Sequence, residues 1–302
     1  MSYLVTLFTI AGLNAILAVS VYMTLATGQF SLAQVGFWAI GAYGTAALTT
    51  LYGWALLPAL LACAAVCFVI GIALGYPCLR VKGIYLALAT LGFSECVRVF
   101  FLNFTWQVPL QGVPTGPAAA TGFRNVAVLT QPWHVAAFLV VLIVLLVALE
   151  RSRYGKMLGA IQEDEAAASA MGIDVVASKL LVFALGAAVA AVGGGLYACY
   201  MSFITSGDFG FSLTMLAVLY VGAGGLGTFW GPVFGAVLLT LLPEVIRPLQ
   251  EFRMIFYGLL VTAIVLVRPR GLIDENAVHW FSRVTRRRSD HDERRRLQGG
   301  ES

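Results

Sequence analysis

The sequence carries little charge and lacks the motifs that mark most enzymes. Of its 302 residues, 11% are Asp, Glu, Lys or Arg and 60% are hydrophobic, whereas soluble domains carry about 25% charged residues. It has three histidines and no G-x-x-x-x-G-K-[ST], H-E-x-x-H or paired-cysteine zinc motif. We therefore expect a chain that is not an enzyme, binds no ATP through a P-loop and holds no metal or other cofactor.

Long apolar runs separated by short polar breaks predict an all-α integral membrane protein. A membrane-crossing helix needs about 20 mostly apolar residues. Nine segments approach this length, namely 4–26, 31–51, 55–76, 84–104, 132–150, 179–203, 211–227, 229–247 and 253–268. Eight or ten helices remain open, because 211–247 is broken by glycines and 26–36 also reads as a broken or re-entrant segment. Since no Lys or Arg precedes Arg80, the first segment lacks the basic start of a cleavable signal peptide, and we expect it to stay as a helix.

The basic residues predict the orientation of the bundle, since Lys and Arg accumulate in cytoplasmic loops. Most of the 19 basic residues lie near Arg80, at the flanks of a polar insert at 151–178, or beyond residue 267. Placing these regions in the cytoplasm puts the N-terminus in the periplasm, the C-terminus in the cytoplasm and the 105–131 loop outside.

Two regions of different composition divide the chain. Residues 1–272 form the expected membrane domain, and the polar, arginine-rich residues 273–302 are expected to be a disordered cytoplasmic tail. The tail is suited to contact anionic lipid. We expect no nucleic-acid binding, because no aromatic stacking platform accompanies its arginines.

The polar insert is the most highly charged stretch before the tail. Residues 154–171 favour a helix, Gly172 suits a left-handed cap after it, and Asp174 can cap the next helix. Apolar side chains recur at helical spacing and predict one buried face, formed by Met157, Ala160, Ile161, Ala168 and Met171. From periodicity alone, the insert is either a helix that docks in a groove of another protein or a plain amphipathic connector.

Several stretches resemble one family of transporters. "EAAASAMG" (165–172) resembles the EAA motif of ABC importer permeases. Four longer stretches resemble LivM-type permeases of branched-chain amino-acid ABC transporters: "GQFSLAQVGFWAIGAY" (28–43), "GIYLALATLGFSECVRV" (83–99), "SRYGKMLGAIQEDEAAASAMGI" (152–173) and "GGLGTFWGPVFGAVLLTLLPEVIR" (224–247). The resemblance covers about residues 10–272 in the family's order, although Ala33 stands where relatives usually have glycine.

The resemblance implies a transport subunit of the bacterial inner membrane that moves leucine, isoleucine or valine. It implies four kinds of protein partner besides membrane lipid: a LivH-like second permease, two ABC ATPase subunits of the LivG and LivF kind that bind ATP and Mg, and a periplasmic substrate-binding protein. The insert would be the coupling helix that contacts an ATPase, through Glu163, Asp164, Glu165, Ala166, Ala167 and Gly172. Urea, short amides or other amino acids are alternative substrates for the same architecture.

Six polar residues within or beside the apolar segments are candidates for the transport path: Gln29, Ser31, Gln34, Glu95, Arg98 and Asp208. Glu95 and Arg98 are one helical turn apart and can neutralise each other. Three arrangements remain open: the two residues form a structural pair, they line a water-filled cavity, or Arg98 lies at the outer interface. An ion-coupled secondary transporter would instead use Glu95 or Asp208 as an ion site and would work alone. An integral-membrane enzyme would need a reactive constellation that the sequence does not display.

Overall fold

The structure, a computed structural model, is mostly helical. It describes residues 3–81, 83–110, 113–124, 126, 130–225, 227–228 and 230–245. Ten α-helices lie in these ranges: α1 (Tyr3–Leu25), α2 (Gln34–Leu51), α3 (Leu56–Cys78), α4 (Ile84–Asn103), α5 (Pro132–Arg151), α6 (Arg153–Glu163), α7 (Glu165–Ala170), α8 (Val175–Met201), α9 (Phe211–Gly224) and α10 (Trp230–Val245). The predicted span 253–268 and the tail 273–302 lie outside the described residues.

Two short antiparallel ribbons, which the sequence does not predict, accompany the helices. In one, β1 (Val108–Leu110) pairs with β2 (Val113–Thr115); in the other, β3 (Phe123–Arg124) pairs with β4 (Phe203–Ile204). Strands this short show no period-2 pattern in the sequence, because their pairing is made by the surrounding fold. The second ribbon ties the loop before α5 to the end of α8.

Helix α8 lies at the centre of the bundle and packs against α1, α2 and α3. Small residues make this possible, since a helix without bulky side chains lets another backbone approach closely. A Cβ atom added to Gly41 would overlap the Ala191 carbonyl, and one added to Gly194 would overlap the Trp38 carbonyl. The glycine and alanine run of α8 is therefore a packing surface for the backbone of α2.

Two further pairs of glycines also allow helices to pack closely. A Cβ at Gly71 or Gly75 would press on Ala184, Leu180 or Phe183 of α8. The pair Gly231 and Gly235 lies against the backbone of α9 at Gly224 and Tyr220 in the same way.

Five described helices are long and apolar enough to cross a membrane, namely α1, α3, α4, α5 and α8, and α9 and α10 are shorter apolar helices. Helix α2 is not among the five, since its 18 residues include Gln34, three threonines and three glycines. Most of its side chains are buried. It is enclosed by other helices, which explains how it tolerates a lower hydropathy than its neighbours.

The contact between α2 and α8 generates a stability prediction. Gly194→Ala places a methyl group on the Trp38 backbone, which cannot rotate away as a side chain would. We expect the free energy of unfolding to fall by at least ~1–3 kcal/mol, the range for overpacked cores. This loss should be seen as a lower melting temperature of the purified protein in detergent.

Gly222→Ala is the matched control, because nothing lies within 4 Å of a Cβ at that helical position. Its melting temperature should equal or exceed that of the wild type. Equal melting temperatures for both variants would contradict the close approach.

Candidate functional site

The polar insert forms two helices where the sequence predicts one. Helix α6 ends at Glu163 and α7 begins at Glu165, with Asp164 extended between them (φ −154°, ψ 111°). The Asp164 carboxylate accepts hydrogen bonds from the backbone N–H groups of Ala166 (2.8 Å) and Ala167 (3.1 Å). Asp164 therefore breaks the helix because its side chain caps a new one more favourably than it continues the old one.

The predicted end of the insert is confirmed. Gly172 adopts a left-handed conformation (φ +84°), and the N–H of Ile173 donates to the Ala168 carbonyl at 3.2 Å, which closes the helix end. Asp174 caps α8 by accepting from the Ala177 N–H at 2.9 Å. After α7, the insert thus ends in a glycine turn that leads into a new apolar helix, as predicted.

The predicted buried face of the insert is right in part. Ile161 and Ala168 are buried, and Met157 and Ala160 are half-buried. Met171 is 69% exposed and does not belong to this face, because the turn at Asp164 resets the helical phase and α7 ends at Ala170.

Helix α7 presents its remaining surface outwards. The predicted coupling residues Glu163, Asp164, Ala166, Ala167 and Gly172 are exposed, and Glu165 is half-buried. Five of the six predicted coupling residues are thus accessible to another protein, at the end of α6, on α7 and in the turn after it.

An ion pair that the sequence does not predict holds α7 against α8. The Lys179 Nζ atom lies 2.5 Å from Oε1 of Glu165, and the side chains are 10% and 43% exposed, respectively. The sequence places Lys179 only as a basic flank of the insert. Its separation of 14 residues from Glu165 matches no helical spacing, so the pair depends on the turn at Gly172 folding α7 back.

Gln29, a candidate for the transport path, lies beside this site. Its Nε2 atom donates to the Lys179 carbonyl at 3.1 Å and to Thr27 Oγ1 at 2.8 Å. An open groove of about 500 Å³ is lined by Gln29, Val81, Glu165 and Lys179, among others. The first polar break, the loop after α3 and the insert therefore meet at one end of the bundle.

The segment between α1 and α2 is a buried, unwound stretch, as the sequence predicts for a broken segment. The Leu32 N–H donates to Thr90 Oγ1 at 2.9 Å, and the Ala33 N–H donates to Ser31 Oγ at 3.3 Å. Side chains thus satisfy backbone groups that would be costly to leave unpaired within a membrane. The Gln34 amide is buried and has no hydrogen-bond partner among the described residues.

Glu95 and Arg98 form the predicted pair. Arg98 Nε donates to Glu95 Oε2 at 2.6 Å, and the side chains of Arg98 and Glu95 are 29% and 34% exposed. The Arg98 side chain lies close to Gly210, at the end of the 3₁₀ turn Ser206–Phe209. Within that turn, Asp208 Oδ2 accepts from the Thr205 N–H at 2.7 Å, so Asp208 has a local capping contact.

In the part of the chain that the structure describes, no group of three or more His, Cys, Asp or Glu residues could hold a metal ion.

The chain matches known permeases along most of its length. The family model described as "Branched-chain amino acid transport system / permease component" matches residues 3–267. The chain is 33% identical over 292 residues to the high-affinity branched-chain amino acid transport system permease protein LivM of Escherichia coli (strain K12), covering 87% of this chain and 66% of that protein. The corresponding LivM protein of Salmonella typhimurium gives the same identity and coverage.

A more distant relative is similar over a shorter stretch. The probable branched-chain amino acid transport permease protein LivM of Methanocaldococcus jannaschii is 27% identical over 232 residues, 70% of this chain and 66% of that protein. The chain thus spans just under two thirds of the length of the curated relatives it matches. No solved structure matches.

The ion pair at α7 generates a second prediction. Glu165→Gln leaves the largely buried Lys179 ammonium without its anionic partner, and hydrogen bonds to charged groups contribute about 1.5–3 kcal/mol. Because Glu165 is partly exposed, we expect the loss of stability to lie at the lower end of this range. Amide hydrogen exchange at residues 165–172 should accelerate about tenfold, which corresponds to about 1.4 kcal/mol.

Glu163→Gln is the control, since Glu163 is exposed on the neighbouring turn; exchange should stay at the wild-type rate. The charge swap that combines Glu165→Lys with Lys179→Glu should restore slow exchange. A rate in Glu165→Gln equal to that of the wild type would show that this pair does not hold α7.

Proposed function

The chain belongs to the family of permease components of branched-chain amino acid transport systems, and on that premise we propose that it is the membrane-spanning subunit of an ATP-driven importer of leucine, isoleucine or valine. The observation that carries the proposal is α7, a short and mostly exposed helix. The Glu165–Lys179 ion pair holds it to α8, and the Asp164 cap and the left-handed turn at Gly172 define its two ends.

A fixed and exposed α7 is suited to receive force from another protein. A loose loop would absorb a push, whereas a helix tied to α8 passes a displacement to the helix that packs against α1, α2 and α3. Gln29 extends the connection, because it binds the Lys179 carbonyl from the unwound segment that leads into α2. The coupling surface is then formed by Glu163, Asp164, Ala166 and Ala167, with Glu165 and Gly172 holding it in place.

The proposed assembly supplies the chemistry that this chain lacks. Two ATPase subunits of the LivG and LivF kind bind ATP and Mg and contact α7 from the cytoplasm. A LivH-like permease completes the path, and a periplasmic binding protein delivers the amino acid. In this assembly the chain itself is a transport subunit with no cofactor of its own.

The proposed topology follows the distribution of charge and helices. The chain is a multi-pass protein of the inner membrane. We propose nine spans, with α1, α2, α3, α4, α5, α8, α9 and α10 followed by 253–268. The N-terminus then lies in the periplasm, and α6, α7 and the tail 273–302 lie in the cytoplasm. Residues 1–272 form the permease domain.

Purification through this chain tests the function directly. We expect two ATPases and a second permease to copurify, and the reconstituted complex with its binding protein to take up radiolabelled leucine when ATP is supplied inside. Uptake of urea but not leucine would contradict the proposed substrate but would still support an ATP-driven importer. Uptake by this chain alone, driven by an ion gradient, would overturn the importer.

The turn after α7 generates a third prediction. Gly172→Val forces a β-branched residue into a left-handed conformation, at a cost of about 1–3 kcal/mol. No atom lies within 4 Å of its added Cβ, so the effect falls on the turn and not on packing. We expect normal membrane insertion and basal ATPase activity, with loss of most of the stimulation by loaded binding protein.

Gly159→Ala is the matched control within the same insert, because its Cβ also meets nothing within 4 Å and the position is helical. Stimulation should remain at the wild-type level. Full stimulation in Gly172→Val would refute the role of α7 in coupling.

A further inference from the structure

An ion pair lies well inside one of the membrane-crossing helices. Glu95 is the twelfth of the 20 residues of α4, which places it about 12 Å from the end of that helix at 1.5 Å per residue. Its carboxylate binds Arg98 one turn further along at 2.6 Å. Both charges are therefore at a depth where α4 would otherwise contact hydrocarbon.

The partial exposure of this pair would be costly next to lipid hydrocarbon. About a third of each side chain is exposed in the single chain. A charged group at membrane depth is costly, and such residues almost always face water or a protein interior. Mutual neutralisation lowers this cost but leaves polar atoms on the surface. This face of α4 therefore borders an aqueous cavity or another protein.

A shallow, open groove on one face of α4 lies beside the pair and combines one carboxylate with an apolar wall. Its lining residues are Glu95, Cys96, Val99, Phe100, Asn103 and Phe104. The rings of Phe100 and Phe104 stack with centroids 5.1 Å apart. An amino acid with an aliphatic side chain has matching parts, namely an ammonium group beside a short apolar branch.

We propose that this groove of α4 is a wall of the transport path and binds a zwitterionic aliphatic amino acid. The Glu95 carboxylate receives the ammonium group, Arg98 holds Glu95 in place, and Val99, Phe100 and Phe104 contact the aliphatic side chain. The proposal rests on the proposed function and adds to it the substrate-binding residues on this chain.

The lining favours a small ligand over a closely packed partner helix. Helices that pack tightly in membranes do so through small residues, as α2 and α8 do here. The groove instead presents large side chains on its surface, with Val99 44% and Phe100 55% exposed. Such side chains keep a neighbouring backbone at a distance.

Cys96 provides a test in the wild-type protein. It is exposed in the groove, whereas the other four cysteines, Cys63, Cys67, Cys78 and Cys199, are buried. A charged thiol reagent reacts only with a thiolate in water. The assembled complex in lipid nanodiscs would be treated with a cationic methanethiosulfonate, with and without leucine-loaded binding protein and ATP, and the Cys96 peptide measured by mass spectrometry.

We expect Cys96 to react in the complex and to be protected at least severalfold when loaded binding protein and ATP drive leucine into the path. Unloaded binding protein with ATP is the control for protection caused by conformational change alone, and Cys96→Ser is the control for the site. Reaction in the isolated chain but not in the complex would assign the groove to a protein partner. No reaction in either would place it against lipid. Both results would overturn the proposal, while ATP-driven leucine uptake by the same complex would still uphold the importer.

Replacement of Glu95 distinguishes a substrate-binding role of this residue from a structural one. In reconstituted complex, Glu95→Gln should raise the leucine concentration for half-maximal uptake about tenfold or more and change the maximal rate little, and Glu95→Asp should recover part of the affinity. A structural role for the pair predicts the opposite pattern, with less assembled complex and unchanged half-maximal concentration in what remains.

Discussion

The close approach of α8 to α2 is the constraint on which the rest of the described structure depends. Backbone groups of Gly41 and Gly194 lie where any side chain would collide with Ala191 or Trp38. In a membrane, such contact replaces the hydrophobic effect as the source of helix association, because lipid tails are as apolar as the side chains they would replace. The position of α8 is therefore set by the absence of side chains.

A helix held in this way connects the two ends of the protein. At its start, Lys179 binds Glu165 of α7 through its ammonium and Gln29 through its carbonyl. Beyond its end, β4 pairs with β3, and the turn at Ser206–Phe209 lies against α4 near Arg98. The 27 residues of α8 span about 40 Å at 1.5 Å per residue. One continuous element thus contacts both the proposed coupling surface and the elements beside the α4 groove.

Local signals in the sequence predicted much of this arrangement, and tertiary contacts account for what it missed. Each of the eight predicted segments between residues 4 and 247 contains a helix in its described part, because apolar runs of that length have few other stable forms in a membrane, and five of these helices are long and apolar enough to cross it. Gly172 and Asp174 were predictable as caps because each acts on its immediate neighbours. The capping role of Asp164 was missed because helix propensity suggested one continuous helix. The ion pair of Lys179 was missed because a turn brings its partner Glu165 near. The ribbons β1–β2 and β3–β4 carry no pattern of their own.

The six polar candidates for the path acquire different roles once their neighbours are known. Gln29 binds the start of α8, Ser31 supports the unwound segment, and Asp208 caps a turn, so each has a local structural contact. Gln34 is enclosed between helices, and its amide has no hydrogen-bond partner among the described residues. Glu95 and Arg98 remain as a charged pair that is partly exposed at membrane depth. Since hydrocarbon would penalise that exposure, the pair requires water or another protein beside it, and the proposed transport path would supply such surroundings.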